Sequence, residues 1–248
     1  MVGLEKFKKY FRDYPDQYIL IGGAACTISF READLEFRAT RDIDMVLIVE
    51  ALTREFGERL WQFIREGGYV NRAKSTGQPQ FYRFSKPTEP DFPKMIELFS
   101  RAQWTLETDS AVTPLHIDDS VSSLSAILLN EAYYNLLIKG REIIDGISVL
   151  TPTYLIPFKA KAWLDLQEKS DQGSHVDTRD IHKHRKDIVE LVEEFPLQKI
   201  ELPAEVHDDM MQFMERINYT DQDLKNYRIR NITAAELVQK LRSSYMLE

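Results

Sequence analysis

The stretch Tyr18-Ile19-Leu20-Ile21-Gly22-Gly23-Ala24-Ala25, followed after a polar spacer by Thr40-Arg41-Asp42-Ile43-Asp44-Met45-Val46-Leu47-Ile48-Val49, decides how this chain is read. Four apolar residues ahead of a glycine pair predict a buried strand that turns into a helix. The second run predicts another apolar strand, opened by two aspartates at i and i+2. Side chains two apart on a strand share a face, so both carboxylates point to one side of the sheet, with Cα atoms roughly 6.6 Å apart. At ~5 Å and an effective dielectric of ~20 the two charges repel by roughly 3 kcal/mol. An apolar strand is an odd place to tolerate that without a cation. Two divalent ions ~3.5–4 Å apart would suit such a pair and would clamp the attacking and leaving oxygens of a phosphoryl transfer. The glycine pair adds exposed backbone N–H groups and a helix N-terminus, both favourable to phosphate. The alternative is a plain ion-pair cluster in which Arg38, Arg41 or Lys94 neutralises the aspartates.

The rest of the chain builds an α/β (α+β) pattern around this centre. Leu4, Phe7, Tyr10, Phe11 and Tyr14 form a helical stripe that ends before Pro15. A helix is expected over 22–32, the strand over Asp42–Val49, and an amphipathic helix over 53–66 stopped by Gly67-Gly68. Short strands are expected near 69–73, 80–85, 95–100 and 113–118, separated by glycine and prolines. Glu131 to Leu137 fits either helix or strand, whereas Asp145-Gly146 between two apolar triplets is a hairpin signal. Thr151-Pro152 then opens a helical region, with segments at about 152–169, 178–195, 203–217 and 233–245. The last begins with the capping box Thr233-x-x-Glu236. The expected organisation is a mixed sheet with flanking helices over residues 1–150 and an all-helical part over 151–248.

With 248 residues, 43% hydrophobic and 29% charged, the composition is that of an ordinary globular chain of one large or two small domains. No apolar run approaches the ~18–20 residues of a membrane span, and Met1 to Lys6 lacks the apolar region of a signal peptide, so no membrane is expected and the cytoplasm is the default location. The single cysteine, Cys26, excludes intramolecular disulfides and cysteine-based zinc sites, and reads as a small buried hydrophobe. A net charge of −8 argues against a broad basic face for nucleic acid, though not against a local basic cleft. His182 and His184 diverge by about 200° on a helix and cannot share one ion.

Phe37-Arg38-Ala39-Thr40-Arg41-Asp42-Ile43-Asp44, taken with Ile21-Gly22-Gly23, resembles the DNA-polymerase-beta-like nucleotidyltransferase superfamily. Within it the match is to the Arg-x-Ser/Thr-x-Asp-hydrophobic-Asp form of the AbiEii-type abortive-infection toxins. The resemblance implies a nucleotidyltransferase-like fold, dependence on Mg²⁺ with Mn²⁺ as its substitute, and transfer of a nucleoside monophosphate from an NTP. The acceptor would be a hydroxyl on a tRNA end, a protein or a small molecule. The toxin branch would also imply an antitoxin protein as partner. Asp42 and Asp44 would hold the metals, and Gly22, Gly23 and Thr40 would lie on the nucleotide. Gly23 departs from the commoner Gly-Ser form, and the spacer through Glu32 to Glu36 is longer than usual.

A two-metal site takes a third carboxylate from a neighbouring strand. The apolar run Lys94-Met95-Ile96-Glu97-Leu98-Phe99 offers Glu97, and the resemblance implies that a residue at this position helps hold the metal and can accept the acceptor's proton. Its competitors are Asp118 and Asp119, and the alternative for Glu97 itself is a salt bridge to Lys94 or an arginine. In the helical part, Lys159 interrupts the apolar stripe of Leu155, Ala162 and Leu166, while Lys161 can pair with Asp165 and reads as solvated. The toxin-type relatives imply that Lys159 contacts the triphosphate and that Asp187 orients that lysine or a substrate group, with Asp180 as a competing register; snorkelling of Lys159 is the alternative. An idle nucleotidyltransferase fold, acting as a nucleotide-sensing or partner-binding module, is the second functional class.

Overall fold

The computed structural model describes residues 1–70, 83–99, 105–108, 111–114 and 130–247. It divides into two compact units, Met1–Val121 with Arg141–Thr151, and Ser122–Gly140 with Pro152–Glu248. The first is α/β. Its six-stranded mixed sheet contains β1 (Tyr18–Ile21), β2 (Asp42–Leu47), β3 (Arg83–Ser85), β4 (Met95–Phe99), β7 (Arg141–Ile144) and β8 (Ile147–Leu150), in the order β3-β4-β2-β1-β8-β7. A separate two-stranded sheet pairs β5 (Thr105–Thr108) with β6 (Ala111–Pro114). The strands expected near 69–73 and 113–118 fall largely outside the described residues, as do Asp118 and Asp119.

Strand β2 is central, antiparallel to β1 and parallel to β4. Residues opposed in a ladder share a face, and that rule sorts the sheet. Tyr18, Leu20, Met45 and Leu47 lie on one face with helices α1 (Leu4–Phe11) and α3 (Arg54–Glu66), where Tyr18 stacks on Phe56 and meets Phe7 and Phe11 edge-on. Ile19, Ile21, Asp44 and Val46 lie on the other face, the side of helix α2 (Gly22–Glu32). The hairpin signal produces β7 and β8 as expected: Asp145 and Gly146 both take positive φ, 51° and 77°, the geometry of a two-residue turn of the primed type.

The second unit is helical among its described residues: α4 (Glu131–Lys139), α5 (Pro152–Asp171), α6 (Thr178–Glu194), α7 (Ala204–Arg216), α8 (Asp221–Asn226) and α9 (Ala234–Tyr245). Glu131 to Lys139 is a helix because Asn130 caps it, its side chain accepting from the N–H groups of Ala132 and Tyr133. The Thr233–Glu236 capping box is present. Helix α8 has no counterpart among the expected elements; its box, Thr220 with Asp223, uses an aspartate where glutamate or glutamine is the usual signal. Tyr133, Tyr134 and Trp163 are core residues. No helix among the described residues is long and apolar enough to cross a membrane.

Candidate functional site

The glycines and aspartates singled out in the sequence meet where β1 ends and α2 begins. Gly22 takes φ 63°, a conformation that L side chains rarely adopt, and a Cβ placed on it would lie 2.1 Å from the Asp44 Oδ2. A side chain at position 22 would therefore be strained and would push that carboxylate aside. A Cβ on Gly23 would lie 2.7 Å from the Thr40 Oγ1 and 3.0 Å from its Cγ2. Thr40 thus fills the space that a serine of the Gly-Ser form would need. Its hydroxyl is buried and finds no hydrogen-bond partner among the described residues. An orphaned hydroxyl beside a helix N-terminus is a donor set suited to a phosphate oxygen.

The ladder carries the acids. Asp42 and Asp44 are both half-buried on the α2 side of β2, and Asp44 stands directly across from Glu97 on the parallel strand β4. Neighbouring strands lie roughly 4.8 Å apart, so Glu97 is nearer to Asp44 in the ladder than Asp42 is along its own strand. Glu97 continues across to Arg83 on β3, its partner in the antiparallel register. The Arg83 Nε donates to the Glu97 Oε1 at 2.6 Å, and Nη2 approaches the same oxygen at 2.5 Å. The arginine bridge weighed for Glu97 is therefore real, and it coexists with the place of Glu97 beside Asp44. Among the described residues no group of three or more His, Cys, Asp or Glu side chains is disposed to hold a metal ion. The backbone register puts the three acids on one face, but the Glu97 carboxylate is turned to Arg83. Arg38 lies over the Phe37 ring, and Lys94, an exposed side chain, donates its backbone N–H to the Arg41 carbonyl. Carboxylate oxygens are the ligands a hard divalent cation prefers, so the chemistry of the donor set, though not the present disposition of its side chains, suits one.

Lys159 and Asp187 belong to the helical unit and are joined to each other: the Lys159 Nζ donates to the Asp187 Oδ2 at 2.7 Å. Their side chains are only 4% and 0% exposed, which excludes snorkelling of Lys159 to solvent. Lys161, expected to be solvated, is half-buried in an acidic cluster, 2.9 Å from the Asp209 Oδ1 and 3.7 Å from Asp165. Tyr133 donates to the other oxygen of Asp209, and burial holds the Tyr133 phenol far above its usual range. Burial also raises the Asp165 carboxyl, against the pull of Lys161. Asp180 lies in the first turn of α6 and His182 is exposed, with His184 half-buried.

Arg83 is the polar residue at this site that the sequence does not single out. Its signal is weak, because cross-strand register depends on how β3 pairs and no local motif encodes it. No family model, no curated protein and no solved structure matches the chain.

Proposed function

We propose that this chain is a nucleotidyltransferase-like enzyme that moves a nucleoside monophosphate from an NTP to an acceptor hydroxyl, in the manner of the AbiEii-type toxins it resembles. One observation carries the reading: the Asp44 carboxylate is packed on the glycine that opens α2 and faces Glu97 across the ladder. That joins an anion-binding turn to a row of acids, the two components that phosphoryl transfer requires. In this reading the N–H groups at Gly22 and Gly23 bind phosphate oxygens and the Thr40 hydroxyl donates to one of them. Asp42 and Asp44 would hold Mg²⁺, or Mn²⁺ in its place, with Glu97 completing the set. Such a cation would supply positive charge for the oxygens entering and leaving phosphorus. Glu97 also takes the proton of the acceptor hydroxyl, and the fixed glycine turn keeps the nucleotide in line for attack. A role for Lys159 and Asp187 towards the triphosphate rests on the resemblance alone, as does an antitoxin partner.

The test is release of pyrophosphate and label transfer from each of four α-labelled NTPs, with Mg²⁺ or Mn²⁺. Bulk tRNA, protein and hydroxylated small molecules serve as acceptors, and Asp44→Asn as the control. Transfer by the wild type that is lost in the variant is expected. NTP binding without any pyrophosphate release would instead identify the idle, nucleotide-sensing module, a reading favoured by the hold of Arg83 on Glu97.

A further inference from the structure

Glu97 sits between unlike neighbours. On one side in the ladder is Asp44, a like charge; on the other is Arg83, whose Nε and Nη2 both lie within 2.6 Å of one Glu97 oxygen. The Glu97 side chain is 14% exposed and that of Arg83 40%, so the pair is reachable from solvent and its cation is the more exposed member. A guanidinium held this way neutralises the carboxylate that the row of acids would otherwise leave charged beside Asp44. It also competes with any other cation for the same oxygen. With its cation partly in water, a pair of this kind exchanges more readily than a fully buried one.

Resting on the nucleotidyltransferase reading, we propose that Arg83 is the resident counter-cation of Glu97, a positioning residue that a divalent ion must displace before the acidic face is fully loaded. Arg83 lowers the affinity of the face for metal and keeps Glu97 engaged while no metal is bound. Once displaced, its guanidinium remains on the same face as Asp44 and Glu97, where a planar fork of donors suits a phosphate group.

The experiment measures cation binding by the full chain without nucleotide, using Mn²⁺ followed by electron paramagnetic resonance and Mg²⁺ by calorimetry. Removing the competing charge in Arg83→Met should tighten the Mn²⁺ dissociation constant by about fivefold. Arg83→Gln, which keeps a hydrogen-bond donor towards Glu97, should do the same and covers the case in which the methionine variant fails to fold. The gain must run through Glu97, so Arg83→Met in a Glu97→Gln background should bind no tighter than Glu97→Gln alone. A wild type that binds Mn²⁺ while both Arg83 variants bind equally well or worse would overturn the displacement and leave the site intact. A wild type that binds neither cation would overturn the metal-site reading itself, and this inference with it.

Discussion

Two carboxylate–cation pairs in this chain make opposite use of the same chemistry. In the helical unit Lys159 and Asp187 are shut away from water, with side chains 4% and 0% exposed. On the sheet, Arg83 is open at 40% while its partner Glu97 is mostly covered, at 14%. A charge moved out of water loses several kcal/mol of hydration, so a buried pair is tolerated only while both members stay together. A half-open pair loses little on separation, since water replaces each partner. The first is therefore a fixture of the helical core, and the second is exchangeable. That contrast is why the sheet face, rather than the buried lysine, is the better place to look for a ligand that comes and goes.

The largest effect should come from breaking the buried pair. Asp187→Ala strands Lys159 and should lower stability by about 3–5 kcal/mol, whereas the matched Lys159→Met/Asp187→Leu change should restore most of it. Urea unfolding followed by circular dichroism measures both. If Asp187→Ala costs no more than Glu97→Gln, for which less than about 1 kcal/mol is expected, then burial does not separate the two pairs. The double variant also decides the role of Lys159 towards nucleotide. Unchanged NTP affinity confines the pair to holding helices together, while weakened affinity alongside a neutral Lys161→Met restores it to the triphosphate.

Next in size is Asp44→Asn, which should reduce any nucleotidyl transfer by roughly 10²-fold or more, as loss of a key electrostatic group does elsewhere. Its metal-free melting temperature should stay level or rise, because the change is isosteric and relieves repulsion from Asp42. A clear fall in metal-free stability would mean that Asp44 is held as a structural ion pair, closer in kind to Asp187.

What is legible in the sequence follows from the range of each interaction. The glycine turn and the two aspartates depend on spacings of one to a few residues, and the period of a strand is enough to put both acids on one face of β2. Glu97 stands out because an acid in an apolar run is conspicuous. Its partner is narrowed only to a lysine or an arginine, since Arg83 meets it through strand register. The Lys159–Asp187 contact spans 28 residues, and only the family resemblance suggests it; the apolar stripe around Lys159 signals burial but not the partner. Helix α8 escapes because six residues give no periodicity and its cap departs from the usual residue pair. Glu131 to Lys139 is ambiguous for the opposite reason: its apolar and aromatic residues suit either structure, and one capping asparagine decides.

The smallest effect expected belongs to a carboxylate of the helical unit whose nearby lysine has a closer partner. Asp165 is 21% exposed, and burial raises its pKa although Lys161 lies 3.7 Å away. An acid whose folded pKa is raised binds its proton more tightly in the folded state. Its contribution to stability is then full below the ordinary aspartate value of about 3.9 and is lost as pH climbs through the raised value. Asp165→Asn removes the charge that burial penalises and leaves Lys161 its closer partner, Asp209 at 2.9 Å. The variant should therefore match the wild type near pH 4 and gain on it towards pH 7, by less than about 1 kcal/mol. Melting temperatures of the two proteins across that range provide the measurement. A variant that loses stability relative to the wild type as pH rises would show that attraction from Lys161 outweighs desolvation, so that even a half-buried site behaves like the closed pair of Lys159 and Asp187.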